Sequence, residues 1–183
     1  MKKLAALVLA FAALPAVGWG QAQSQASRLG DLQIGAGFTF AAPDYLPKKY
    51  HGPMFYFDFD FRDHFGIEGE FHQISPSAPD NYNVYERTYE IGGRYIRHYD
   101  HTIINPYAKA LYGRGVFNYP NNEANLAYNM GVLGGGVDFH VMPRINVRAD
   151  YEWQRWFNFP PNGLTPQLLT IGVAYHFPAG NPY

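Results

Sequence analysis

The sequence contains no cysteine. A disulfide framework and a lipid anchor on a processed cysteine are therefore both excluded. Serine is scarce, limited to Ser24, Ser27, Ser75 and Ser77. A serine nucleophile needs a histidine base and an acid to orient it. His72 with Ser75 is the nearest pair; placed at a loop rim and without a clear acid partner, it predicts no catalytic site. Positive charge is also limited. Setting Lys2 and Lys3 aside leaves 12 basic residues against 15 acidic, a net charge of −3, which argues against a nucleic-acid partner. Beyond the N-terminal segment no apolar run reaches the roughly 18 residues of a spanning helix. Gly134-Gly135-Gly136 lies mid-strand and opens no helix, so no phosphate loop and no cofactor are expected.

What is present begins with an export signal. Lys2 and Lys3 precede an apolar run, Leu4 to Val17, followed by small residues. This predicts a signal peptide over residues 1–26, cut after Gly20, Ala22 or Ala26, and a single domain over 27–183. The domain is rich in Gly (19), Tyr (15) and Phe (14).

The clearest pattern is Arg144–Trp156. Ile145, Val147, Ala149, Tyr151 and Trp153 alternate with Arg144, Asn146, Arg148, Asp150, Glu152 and Gln154. Period two is the strand period, and it gives one apolar and one charged face. At thirteen residues the strand exceeds the globular mode of about 5–6. It suits a bilayer, which about 9–11 tilted residues cross. Seven other segments alternate too: Asp31–Phe40, Met54–Phe61, Phe65–Ile74, Val84–Tyr99, Ile104–Val116, Ala127–Val141 and Gln167–Phe177. Short connections at Arg62–His64, Tyr99–Thr102 and Met142-Pro143 alternate with longer ones at Ala41–Gly52, Ser75–Asn83, Phe117–Leu126 and Phe157–Pro166. The expected fold is all-β: an eight-stranded antiparallel up-and-down transmembrane β-barrel with short periplasmic turns and longer extracellular loops.

Four stretches carry a family resemblance: Pro106–Ala110, Gly134–Phe139, Ile145–Tyr151 and Gly172–Phe177. Over about Asp31–Phe177 the chain resembles the small eight-stranded outer-membrane barrels of the OmpA-like type, as a stand-alone barrel without a peptidoglycan-binding domain. The resemblance implies a Gram-negative outer membrane, lipid and lipopolysaccharide as surroundings, and assembly by the barrel assembly machinery. Gly172, Tyr175 and Phe177 would form the assembly signal. A monomer is expected.

Alternation alone does not say which face points in. A soluble lipocalin-like barrel would turn its apolar face inward to a ligand. The membrane orientation is favoured because Gly shares the polar face and aromatics recur near strand ends on the other. Phe55, Phe57, Phe59, Ile145, Val147, Tyr151, Trp153, Ile171, Val173 and Tyr175 should then face lipid. The interior should hold Asp58, Asp60, Glu68, Glu70, Glu86, Glu90, Asp138, Asp150 and Glu152 with Arg94, Lys109, Arg144 and Arg148. Eight strands leave room for little more than side chains, so a plug of ion pairs is expected. Arg87, Arg97, Arg114 and Arg155 fall in the apolar phase near strand ends, where arginine can snorkel. His64, His98, His101, His140 and His176 gather at the periplasmic end without metal-ligand spacing, so no metal is expected there. Three functions remain open: a structural or surface-interaction barrel, a narrow pore for ions or small solutes, and a soluble ligand-binding barrel. Tyr45, Tyr50, Phe157 and Phe159 are candidate loop contacts to lipopolysaccharide or a partner.

Overall fold

The computed structural model describes residues 30–44, 49–77, 84–99 and 103–177. The expected signal segment, Tyr45 and His101 lie outside these residues. Eight strands follow in order: β1 Asp31–Ala42, β2 Tyr50–Asp60, β3 Phe65–Pro76, β4 Tyr85–Ile96, β5 Ile104–Asn118, β6 Asn125–Met142, β7 Ile145–Trp156 and β8 Gln167–Phe177. Each pairs antiparallel with the next, and β8 closes on β1. No sheet edge is left open, which is what a strand in hydrocarbon requires. Among the described residues the one helical element is a 3-10 turn, Pro120–Asn122.

The registers set the tilt. Directly opposite partners can be followed from Leu32 through Phe59, Ile67, Gly93, Ala110, Leu133, Trp153 and Gln167. The path returns to β1 at Ala42, ten residues beyond its start. Such a stagger belongs with the roughly 35–45° tilt of closed barrels. At that tilt a twelve-residue strand such as β7 rises roughly 30 Å, enough for an apolar band of about 25 Å.

Some boundaries differ from expectation. β2 begins at Tyr50 rather than Met54. Gly52 and Pro53 look like breakers, but a Cβ on Gly52 would lie 1.9 Å from the Gln73 carbonyl oxygen. The glycine lets β2 and β3 approach and keep pairing. β4 ends at Ile96 rather than Tyr99. A bulge between His140 and Met142 ends the β6–β7 register. Arg144 precedes β7, falls in the turn and is exposed, donating to the Tyr175 hydroxyl at 2.9 Å. Its expected place inside the barrel is corrected.

The apolar face is the outer face. Phe55, Phe57, Phe59, Tyr151, Trp153, Ile171, Val173 and Tyr175 are exposed, and Ile145 and Val147 half-exposed. A belt of this kind on every strand is far larger than the apolar patches a soluble protein leaves in water. The polar face is buried, so the ligand-binding barrel with an apolar interior does not fit. Arg87, Arg97, Arg114 and Arg155 keep to the outer face or rim; Arg87 donates to Gln73 and Arg155 to the Asn162 carbonyl.

This orientation gives a direct expectation. Ile171 is 56% exposed midway along β8. Ile171→Arg should destabilise the barrel by about 2–4 kcal/mol, the cost of a cation at the bilayer midplane. Urea unfolding from lipid vesicles, followed by tryptophan fluorescence, measures it.

Candidate functional site: the charged interior

The inward face of β7 organises the interior. Asn146, Arg148, Asp150, Glu152, Gln154 and Trp156 are all buried, and each meets side chains from other strands. Asn146 donates to Gln33 on β1 and bonds His140 on β6.

One rung up, Arg148 grips Asp138 with two hydrogen bonds, from Nε at 2.7 Å and Nη2 at 3.0 Å. Its guanidinium also reaches across the barrel to Asp58 at 2.5 Å and Glu68 at 3.3 Å. Arg94 on β4 shares two of these acids, Asp58 at 2.5 Å and Asp138 at 2.9 Å, and lies 3.7 Å from both Glu68 and Asp60. The Arg148 guanidinium stacks over the Tyr56 ring at 4.1 Å and the Tyr107 ring at 4.7 Å. A planar, delocalised cation can pair edge-on with carboxylates and stack face-on with rings at once; an ammonium cannot. Tyr107 also donates to Asp150.

The next rung centres on Lys109 of β5. Its Nζ lies 2.7 Å from Glu70, 2.7 Å from Glu152, 2.9 Å from Asp150 and 3.2 Å from Glu68. These carboxylates come from β3 and β7, on opposite walls. A small residue makes room for it. A Cβ on Gly134 would sit 2.9 Å from Lys109 Cε and 3.2 Å from Glu152 Cγ.

Above Lys109 the partners change. Gln154 Nε2 donates to Glu90 at 3.0 Å and Glu152 at 3.1 Å, and Gln154 accepts from Trp156 Nε1 at 3.1 Å. His72 is fully buried here, not at a loop rim as its neighbour Ser75 suggests. Its Nδ1 bonds the Thr39 hydroxyl at 3.1 Å, and Thr39 bonds Thr170 at 2.7 Å. One ligand-type atom from each of Glu70, His72, Glu90 and Glu152 lies within 4.8 Å of the others.

At the long-loop end the interior turns apolar. Trp156, Leu111, Phe117, Met130, Val132, Phe159 and Leu164 pack together. The segment after β7 folds back over them, with Trp156 and Leu164 exchanging backbone hydrogen bonds. Asp44 ties this loop to the one after β1, accepting from Thr165 N at 2.8 Å and Oγ1 at 2.5 Å. Tyr50 and Phe159, two of the candidate loop contacts, are buried in this rim; Phe157 is exposed.

All nine expected interior acids are buried, including Glu86, against three bases, Arg94, Lys109 and Arg148. The periplasmic histidines form no common site among the described residues. His140 pairs with Asn146 and His176 with Asp31 at 2.5 Å, although their rings lie 6.0 Å apart.

Over residues 4–177 the sequence matches the family model of the outer membrane protein beta-barrel domain. The chain belongs to this family. Solved structures of other outer-membrane barrels share its fold. Neisserial surface protein A is 16% identical with a TM-score of 0.61, over 81% of this chain and 97% of that one. Ail, the attachment invasion locus protein of Yersinia pestis, is 16% identical with a TM-score of 0.56, over 81% and 99%. OprG of Pseudomonas aeruginosa is 15% identical with a TM-score of 0.56, over 82% and 97%. No curated protein matches the sequence. The family and the outward apolar belt together point to the Gram-negative outer membrane.

Proposed function

We propose that this protein is a structural or surface-interaction barrel whose lumen is closed by its own charged side chains. The observation that carries this is Lys109, one cation bonded to four carboxylates from opposite walls. Arg94 and Arg148 span the space below it, and the apolar cap around Trp156 covers it above. Water and ions would have to break buried, charge-assisted bonds to pass.

In this reading residues 1–26 direct export and are removed, and Gly172, Tyr175 and Phe177 engage the assembly machinery. The barrel works as a monomer without catalysis. Function then lies in the loops at the long-loop end, where Phe157 is exposed and could meet lipopolysaccharide or a partner surface. One protein of the same fold, Ail, is named for attachment.

Planar-bilayer recording tests the closed lumen. The folded protein should insert, as judged by its heat-modifiable gel migration, without giving unitary current steps. Steady cation-selective steps would instead establish the narrow pore.

A further inference from the structure

We infer that the barrel interior binds a divalent first-row transition-metal ion through Glu70, His72, Glu90 and Glu152, a site beyond the closed-lumen reading. Three atoms carry the argument. His72 Nε2, Glu70 Oε2 and Glu90 Oε2 are buried and make no hydrogen bond. His72 Nε2 lies 3.7 Å from Glu152 Oε1 and 3.9 Å from Glu70 Oε2, too far for a hydrogen bond. A buried polar atom left without a partner is costly, and the side chains that carry these three, with Glu152, bring one ligand-type atom each to within 4.8 Å of one another.

The other atoms of the same side chains are tied down. His72 Nδ1 bonds Thr39. Glu70 Oε1 accepts from Lys109, Glu90 Oε1 from Gln154, and Glu152 Oε2 from Gln154. With Thr39 accepting from Nδ1–H and donating to Thr170, Nε2 keeps its lone pair toward the carboxylates. A metal-binding histidine is held in this way, its second ring nitrogen fixed by an outer partner. Glu152 Oε1, which also bonds Lys109 at 2.7 Å, would bridge the two cations.

Charge points the same way. Nine buried acids face three permanent bases, and a divalent ion offsets two of the excess charges. One imidazole and three carboxylates, without thiolate, suit zinc, manganese or ferrous iron. Donors about 2.0–2.1 Å from zinc stand roughly 3.4 Å apart in a tetrahedron. The present separations, up to 4.8 Å, need to close by at most about 1.4 Å to reach that spacing. The rival assignment is a metal-free histidinium facing Glu152.

The test uses the chain without a polyhistidine tag, refolded into detergent micelles after chelation, with Zn2+ and, in parallel, Co2+ as probes. Folded protein, identified by heat-modifiable migration, should retain one zinc per barrel through gel filtration. With Co2+ it should show visible absorption bands of a protein-bound ion. His72→Gln and Glu90→Gln should each weaken zinc binding by at least about tenfold, and Thr39→Val by roughly 10–100-fold. Folded wild type that retains neither ion would overturn the site. So would zinc retained equally by whichever of the His72 and Glu90 variants folds. Failure here leaves the closed lumen intact, since bilayer recording reads that separately.

Discussion

Replacing Lys109 with methionine is expected to destabilise the barrel by about 3–5 kcal/mol, the range for removing one partner of a buried ion pair. Methionine nearly matches the volume, so the loss is one of charge. Glu68, Glu70, Asp150 and Glu152 all lie within 3.2 Å of the ammonium. Without it, Glu70, Asp150 and Glu152 share one dry space with no lysine or arginine bonded to them, while Glu68 keeps Arg148 at 3.3 Å. The penalty should therefore fall when an acid is removed together with the lysine. Lys109→Met combined with Glu70→Gln should recover part of the stability, whereas a packing defect would make the two losses additive. Urea unfolding of refolded protein in micelles gives both numbers.

Arg148 is expected to come second, with a graded series. Arg148→Met should cost about 3–5 kcal/mol, because Asp58 and Asp138 would then share Arg94 alone and Glu68 would keep Lys109 as its nearest cation. Arg148→Lys keeps the charge but loses the two-bond grip on Asp138 and the stacking on Tyr56 and Tyr107. It should still cost about 1.5–3 kcal/mol. If lysine restored full stability, the geometry described for the guanidinium would be irrelevant and only its charge would count. The same unfolding experiment separates the two outcomes.

Much of this was legible in the residue order. The alternation in 145–156 assigns each β7 side chain to a face, because strand periodicity admits only two phases. A pairing of Asp58 with Glu68 follows from the tight turn after β2, and the register has them opposite. Other features depend on distance in three dimensions. His72 is in phase with Glu68 and Glu70, which points it inward, but its meeting with Thr39 of β1 and Glu152 of β7 joins strands that are not its neighbours. Tyr107 alternates with Lys109 on one face, yet its place under the guanidiniums of Arg94, at 4.8 Å, and Arg148, at 4.7 Å, requires knowing how the barrel closes. Arg144 is in phase with the inward residues of β7, but the strand begins only at Ile145, so the alternation does not govern a residue of the turn before it. Tyr50 and Phe159 look like loop residues by their Pro- and Asn-rich surroundings, and only the folded-back rim buries them.

The central claim is the direction of the faces: apolar to lipid, charged to a closed interior. β7 carries a natural probe on each side, with Trp153 40% exposed and Trp156 fully buried. The decisive measurement is tryptophan quenching by brominated phospholipids, comparing Trp156→Phe, which reports Trp153, with Trp153→Phe, which reports Trp156. Using the chain from residue 27 removes Trp19 from the signal. Strong quenching of Trp153 and much weaker quenching of Trp156 is the predicted result; equal quenching, or the reverse order, would contradict the account.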